Sequence, residues 1–162
     1  MGCGSGALSI RAALVWPQAR VLGIDAWPPA YNYSQRMCEK NAESEGVAVR
    51  CRFQRGDANK LDFPGECFDA VVSNYVYHNI TGADRQALLL ETLRVLKKGG
   101  VFALNDEMKP RLYGDMEAFA QKLRDMGYED VRLIDTATEA FGSCRRAAMM
   151  MLGASRMLVG RK

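Results

Sequence analysis

The stretch Gly2-Cys3-Gly4-Ser5-Gly6 decides the fold, because a helix pattern and then a buried-strand pattern come directly after it. Helix signals run from Gly6 to Leu14 and stop before Trp16-Pro17. The next apolar run, Val21-Leu22-Gly23-Ile24-Asp25, is typical of a short buried strand that ends in an acid. Glycines allow a tight turn and a close approach to a ligand, and the helix after them offers unpaired N–H groups at its start. These residues therefore predict an α/β fold with a ligand-binding loop.

Strand and helix patterns continue to alternate along the rest of the chain. The clearest helix is predicted near 115–126, where Met116, Phe119, Ala120, Leu123 and Met126 recur at helical spacing before Gly127. Other helices are predicted over 31–45 and 83–97, and strands over 49–53, 68–74, 101–105, 131–134 and 157–159. The segment 143–154 has no clear pattern. The alternation predicts a Rossmann-like, doubly wound and mostly parallel sheet, which binds ligands beyond the carboxyl ends of its strands. We expect one domain over 1–162.

Length and composition exclude several classes of protein. The chain has 162 residues, of which 48% are hydrophobic and 25% charged, as in an ordinary soluble domain. Its net charge of +3 gives no electrostatic footprint for nucleic acid, and it has no apolar run of membrane-spanning length. No basic region followed by an apolar region opens the sequence, so we expect no cleaved secretory signal. The cysteines are dispersed, and a single histidine, His78, cannot complete a zinc cluster. We therefore expect reduced thiols, no metal site and a cytoplasmic location.

Polar residues at the predicted strand ends are candidates for cofactor binding. Asp25 lies 19 residues after Gly6, where a carboxylate can accept hydrogen bonds from both hydroxyls of a ribose. Because Ala7 fills the last position of the GxGxxG/A fingerprint, nicotinamide and adenosyl cofactors both remain possible from these residues. Asp57, in Gly56-Asp57-Ala58, is placed to accept from an adenine amino group, and Ser73-Asn74-Tyr75 ends the next strand.

Together with Lys97-Lys98-Gly99-Gly100, which precedes a further strand, these motifs resemble the class I S-adenosylmethionine-dependent methyltransferases. The small-molecule branch that includes the ubiquinone and menaquinone C-methyltransferases is the most similar. The resemblance extends over essentially the whole chain and implies S-adenosyl-L-methionine as cofactor and a small-molecule acceptor, not nucleic acid. It also implies which residues bind the cofactor: Gly2, Cys3, Gly4, Gly6, Asp25, Ala26, Trp27, Asp57, Ala58, Asn74 and Tyr75.

One departure from the family pattern concerns the central first strand, which in the family precedes the glycine loop. Here Met1 stands directly before Gly2, so most or all of that strand has no counterpart. Without it, the strands at 21–25 and 69–74 would lie about 9–10 Å apart and could not hydrogen-bond to each other. We therefore hypothesise that Met1 is an internal methionine of a longer protein. The alternative is that another segment or a partner chain fills the gap, and unpaired strand edges would favour self-association.

Methyl transfer from a sulfonium needs mainly the alignment of donor and acceptor in a dry pocket. His78, just beyond the strand that ends at Asn74, is the only candidate imidazole for a general base. A contact with the cofactor or a structural role remains open for it. Tyr75 and Tyr77 could line an acceptor pocket, although aromatic residues at strand ends are more often core.

Two other groups of residues have ordinary structural explanations. Asp106-Glu107-Met108 follow a predicted strand and could face the acceptor, but acids at such a position are more often exposed loop residues, which is what we expect here. Met149-Met150-Met151 suggest a greasy substrate or a membrane, but methionines usually fill gaps in a core. We expect the adjacent Arg145-Arg146 to be solvated.

Two further functions remain possible. One is a nicotinamide-dependent oxidoreductase, which Asp57, the segment 97–100 and the absence of a Tyr-x-x-x-Lys pair disfavour. The other is a truncated domain without catalytic activity. The residues do not identify the methyl acceptor.

Overall fold

The computed structural model describes the backbone of residues 1–162 and all side chains except those of residues 140, 141 and 144. The chain divides into two compact units, Met1–Ala58 and Asn59–Lys162. Their strands form two separate sheets, one of two strands and one of four. Alternating strands and helices make this an α/β fold, and the Rossmann-like class predicted from the sequence is confirmed. No helix in the described part of the chain is both long and apolar enough to cross a bilayer.

The first unit contains helix α1 (Ala7–Val15), strand β1 (Val21–Asp25), helix α2 (Gln35–Ser44) and strand β2 (Cys51–Arg55). Strands β1 and β2 are parallel and in register from Val21–Cys51 to Asp25–Arg55. Their strand ends therefore bring Asp25 and the residues after β2 to one edge of this sheet. The core of the unit joins both helices to the sheet through Ile10, Ala13, Cys38, Ala42, Val47, Cys51 and Phe53.

The second unit contains strand β3 (Phe68–Asn74), a 3₁₀ turn (Tyr77–Asn79), helix α3 (Arg85–Arg94) and strand β4 (Leu96–Glu107). After these come α4 (Pro110–Tyr113), α5 (Met116–Asp125), β5 (Glu129–Asp135), α6 (Thr136–Phe141), α7 (Cys144–Met149) and β6 (Ser155–Arg161). The sheet order is β3-β4-β6-β5. Strand β3 is parallel to β4, whereas β6 is antiparallel to both β4 and β5.

Several predicted boundaries were wrong for identifiable reasons. Helix α2 begins after Ser34, not at Tyr31, because the Ser34 hydroxyl caps it by accepting from the Met37 N–H at 3.2 Å. Helix α3 ends at Arg94, and Lys97-Lys98-Gly99-Gly100 lie within β4. The carbonyl of Val95 accepts from Cys67 and Phe68, so pairing with β3 replaces the last helical turn. The predicted helix near 115–126 is confirmed as α5, with Asp115 as its N-cap.

The expectation that Met149-Met150-Met151 fill a core is also wrong. These side chains are 83%, 64% and 79% exposed. By contrast, the predicted solvation of Arg145-Arg146 is confirmed. Strands β1 and β3 are not paired with each other among the described strands, as the sequence predicted.

Gly23 in β1 tests how tightly the first unit is packed. A Cβ added there would lie 2.6 Å from Cδ1 of Phe53 and 3.0 Å from the Ser9 hydroxyl oxygen. We expect Gly23→Ala to lower the free energy of unfolding by about 1–3 kcal/mol, because the overpacked ring must move. Gly56→Ala is a matched control, since its Cβ would meet Ile24 at an ordinary 3.5 Å. Chemical denaturation measures both, and equal stability of the two variants would contradict this packing.

Candidate active site

The glycine loop before α1 has a backbone conformation that residues other than glycine rarely adopt. Gly2, Gly4 and Gly6 have φ values of 61°, 54° and 87°, all in the left-handed region that glycine adopts readily. Gly6 is the N-cap of α1, and a Cβ there would also lie 3.1 Å from the Phe53 ring and 3.2 Å from Cys38 Cβ. The loop therefore needs glycine at this position for both its conformation and its packing. When every second residue before a helix is left-handed, the backbone N–H groups of that segment point toward an anionic or polar ligand.

Asp25, at the end of β1, fixes this loop to the sheet. Its Oδ2 accepts from the Gly4 N–H at 2.8 Å, and its Oδ1 accepts from the Trp27 N–H at 2.7 Å. The Cys3 N–H donates to the Ile24 carbonyl at 3.1 Å, which adds a second tie to β1. A carboxylate offers about four acceptor positions, so each oxygen of Asp25 keeps capacity for one further donor.

Helix α2 and the turn after β1 hold the other side of the loop. The Gly4 carbonyl accepts from Trp27 Nε1 at 2.9 Å and from the Cys38 thiol at 3.1 Å. Asn41 Nδ2 donates to the Ser5 carbonyl at 2.9 Å. Trp27 has a positive φ of 40°, an uncommon conformation for this residue that its two hydrogen bonds to the loop and to Asp25 support. The loop is thus held from both sides.

Two cysteines next to the loop remain thiols. Burial raises the pKa of Cys3 to about 12, and the neighbouring Cys38 raises it further. Burial also raises the pKa of Cys38. Neither is therefore a nucleophile at neutral pH, since the thiolate is the reactive form. They act as small apolar side chains beside the glycines.

The remaining predicted residues of the first unit lie at the same edge of its sheet. Ala26 follows Asp25 directly and is exposed. The Gly56 N–H donates to the Asp25 carbonyl at 3.0 Å, which brings the start of the Asp57-Ala58 segment beside β1. Asp57 is exposed and Ala58 is half-buried.

In the second unit, Asn74 and Tyr75 lie where β3 leaves the sheet. The Tyr75 N–H donates to the Asn105 carbonyl at 2.9 Å, and Asn105 Nδ2 donates to Asn74 Oδ1 at 2.8 Å. Tyr75 has a positive φ of 55°, and its hydroxyl lies 2.7 Å from the Ser155 hydroxyl. Tyr77, in contrast, is fully buried and hydrogen-bonds to Thr92, so its core interpretation was right.

His78 is oriented by the carboxylate of Asp106, whose burial and contact with His78 the sequence did not predict. Its Nδ1 hydrogen-bonds to Oδ1 of Asp106, whose side chain is completely buried, while the His78 side chain is 28% exposed. An ionised carboxylate only accepts, so this contact favours a proton on Nδ1, and in the neutral imidazole Nε2 is then the acceptor. A histidine held in this tautomer can remove a proton from a bound molecule.

The Asp106 carboxylate also orders the backbone around His78. Its Oδ2 accepts from the N–H groups of Val76 at 3.1 Å and Tyr77 at 2.7 Å, and its Oδ1 accepts from the Glu107 N–H at 2.7 Å. The expectation of exposed loop acids was therefore wrong, because Asp106 and Glu107 are 0% and 5% exposed at the end of β4. The one available signal was the position of Asp106 at the end of a predicted parallel strand.

The predicted site residues thus form two groups. The first unit brings together Gly4, Asp25 and Trp27, with Asp57 following β2 at the same edge. The second unit places Asn74 and Tyr75 before the His78–Asp106 pair. Among the residues that the structure describes, no group of three or more His, Cys, Asp or Glu is arranged to hold a metal ion.

Comparison with known proteins identifies the family to which this fold and glycine loop belong. A family model described as "Methyltransferase domain" matches residues 1–104, which is more than half of the chain. The chain therefore belongs to this family. Because the matched residues run from the glycine loop to Leu104 in β4, the match includes parts of both units.

Individual relatives are also named as methyltransferases. The chain is 36% identical over 100 residues to the demethylmenaquinone methyltransferase of Thermus thermophilus, covering 62% of this chain and 42% of that protein. It is 27% identical over 124 residues to the sterol 24-C-methyltransferase erg6 of Aspergillus fumigatus, covering 76% of this chain and 31% of that protein. The chain thus spans less than half the length of each.

A solved structure supports the fold. The geranyl diphosphate C-methyltransferase of Streptomyces coelicolor aligns with 99% of this chain and 70% of its own, with a TM-score of 0.71 and 12% sequence identity. At that identity, the similarity concerns the fold alone.

Proposed function

We propose that this chain provides the catalytic domain for methyl transfer from S-adenosyl-L-methionine to a small-molecule acceptor. The observation that carries the proposal is the glycine loop tied to Asp25 at the start of α1. Such a loop fits an adenosyl cofactor because left-handed glycines leave room for a close approach and Asp25 retains acceptor capacity. The family match supports the same cofactor.

Each predicted residue has a role in this proposal. Gly2, Cys3, Gly4 and Gly6 would form the backbone cradle, and Asp25 would accept from ribose hydroxyls with Ala26 and Trp27 beside it. Asp57 and Ala58 would contact the adenine, and the backbone at Asn74 and Tyr75 would meet the methionine end. When bound, the cofactor supplies an activated methyl group on a positively charged sulfur. The protein holds the acceptor in line and excludes water.

His78 is the residue that we propose as general base. Asp106 contacts Nδ1, so Nε2 is the ring nitrogen that can accept a proton in the neutral imidazole, and part of the side chain remains exposed. A base is needed when the methyl acceptor is a hydroxyl or an acidic carbon, because that atom must lose a proton as the new bond forms. The His78–Asp106 pair therefore favours such acceptors over a tertiary amine, which has no proton to lose.

The proposal also covers the domain organisation, the location and the class of acceptor. We infer that both units belong to one methyltransferase domain, because the family model matches residues in each. A cytoplasmic location is supported by the free thiols of Cys3, Cys38, Cys51 and Cys67, which are typical of a reducing compartment. Nucleic acid is not the proposed acceptor, because Ser73-Asn74-Tyr75 lacks the double proline of amino-methylating DNA enzymes.

Thermal unfolding with added ligands tests the cofactor. We expect S-adenosylmethionine and S-adenosylhomocysteine each to raise the melting temperature. At a ligand concentration one hundred times Kd, binding adds about 2.7 kcal/mol to the free energy of unfolding. NAD at the same concentration is the control and should leave the melting temperature unchanged. A rise with NAD alone would instead support the oxidoreductase. A cooperative transition that no ligand shifts would contradict cofactor binding by this chain.

A further inference from the structure

Helix α7 and the residues after it present an exposed patch of methionines and arginines. The helix buries Ala147 completely, whereas Arg145 and Arg146 are exposed. The side chains of Met149, Met150 and Met151 are 83%, 64% and 79% exposed. The methionine–arginine patch consists of these five exposed residues, Arg145, Arg146, Met149, Met150 and Met151.

Helical spacing places the two kinds of side chain next to each other. Residues four apart are neighbours on a helix surface, so Arg145 lies beside Met149. Arg146 similarly lies beside Met150, which has near-helical φ and ψ of −93° and 12° as the C-cap. The surface of the patch therefore combines flexible apolar chains with guanidinium groups. In water, three exposed methionines leave a substantial apolar area unburied, and such areas commonly mark interaction surfaces.

The chain segment that contains the patch has only basic charged side chains, whereas Glu139 lies on α6, which packs against α7. Between Ala140 and Lys162 the sequence contains no Asp or Glu, whereas it contains Arg145, Arg146, Arg156, Arg161 and Lys162. The whole chain is nearly balanced, with 22 basic and 19 acidic residues. Neither Arg145 nor Arg146 forms an ion pair with any side chain that the structure describes. The two guanidinium groups are thus available to an anionic partner.

We propose that the methionine–arginine patch docks this chain on the surface of a bilayer that contains anionic phospholipid. Methionine side chains can insert at the boundary between headgroups and acyl chains, while the arginines keep their charge at the level of the phosphates. Guanidinium groups bind phosphate oxygens through paired hydrogen bonds. A continuous fluid surface accommodates three flexible side chains without requiring a matched pocket. The contact is peripheral and reversible, because the patch is small.

Vesicle co-sedimentation of the 162-residue chain tests this proposal. We expect binding to vesicles of phosphatidylcholine and phosphatidylglycerol in equal parts, and much weaker binding to phosphatidylcholine alone. The double variant Arg145→Gln/Arg146→Gln should lose roughly 25-fold in affinity for the anionic vesicles, at about fivefold for each arginine. The triple variant Met149→Gln/Met150→Gln/Met151→Gln should abolish sedimentation while both arginines remain.

A matched control changes two exposed arginines of the first unit. Arg11→Gln/Arg20→Gln removes the same net charge outside the patch and should leave vesicle binding close to that of the unaltered chain. Unchanged melting temperatures show that all variants are folded, which is expected since every altered side chain is exposed. Equal binding to both vesicle types, or an equal loss with the control pair, overturns the proposal. Failure to bind either vesicle also overturns it and leaves an acidic protein as the partner to be sought.

Discussion

Replacing Asp106 with asparagine is expected to lower the free energy of unfolding by about 2–4 kcal/mol, because a buried acceptor of several N–H groups becomes partly a donor. The carboxylate accepts at Oδ2 from Val76 and Tyr77 and at Oδ1 from Glu107. An amide has one oxygen, so in either orientation its NH₂ group faces at least one buried N–H. Chemical denaturation measures the loss.

The same change is expected to reduce methyl transfer in an enzyme that uses His78 as a base. Without the carboxylate, Nδ1 of His78 loses the partner that fixes its tautomer. We expect kcat to fall by about 100-fold or more, the usual contribution of a general base, with little change in Kd for S-adenosylmethionine. His78→Gln should reduce kcat similarly while costing less stability, because Asp106 keeps its backbone donors. Once an acceptor is found, single-turnover kinetics measures the rate of methyl transfer separately from the binding of S-adenosylmethionine.

Asp69→Asn is the matched control for Asp106. Asp69 lies in β3 of the same sheet and pairs with Lys97 at 2.7 Å, but its side chain is 88% exposed. Although the Lys97 hydrogen bond lowers the pKa of Asp69, water replaces that partner readily. We expect no resolvable change in melting temperature. If Asp69→Asn and Asp106→Asn had equal effects, the buried carboxylate would not be the group that orders the backbone around His78.

Replacing Asp25 is expected to abolish useful cofactor binding. If the two ribose hydroxyls donate to this carboxylate, each bond contributes about 1.5–3 kcal/mol, so Asp25→Ala should weaken S-adenosylmethionine binding by roughly 100-fold to 10,000-fold. The alanine also removes the acceptor for the Gly4 and Trp27 N–H groups, so the loop itself should loosen. Isothermal titration calorimetry measures the affinity.

Asp25→Asn separates the contribution of Asp25 to ribose binding from its contribution to the stability of the loop. Its single carbonyl oxygen can accept from only one of the two backbone donors, so we expect an intermediate loss of affinity with a smaller loss of stability. Glu43→Gln, on the exposed surface of α2 in the same unit, removes an equal charge and should leave both quantities unchanged. Full affinity in a folded Asp25→Asn protein would show that this carboxylate does not bind the ribose.

Local sequence was sufficient to predict those elements whose physical cause is local. The bounds of β1 at Val21–Asp25 and β3 at Phe68–Asn74 agree with the prediction, because compact apolar runs with turn residues on either side have few alternatives. The glycine loop was also predictable, since its left-handed residues require glycine. The position of Asp25 follows from that of its strand. The sequence was therefore sufficient to predict that the glycine loop and Asp25 lie at one edge of the first sheet.

The tertiary structure alone decided which residues meet across the sheet. His78 and Asp106 are brought together by the register that pairs Asn74 with Asn105, and nothing local to either residue specifies that register. Helix α3 similarly stops at Arg94 because the next residues pair with β3. The methionines at the end of α7 and just after it are apolar yet exposed, since burial depends on whether another element packs over a side chain. Sequence by itself thus determined the elements and the family, whereas long-range pairing and packing determined the His78–Asp106 dyad and the exposed patch.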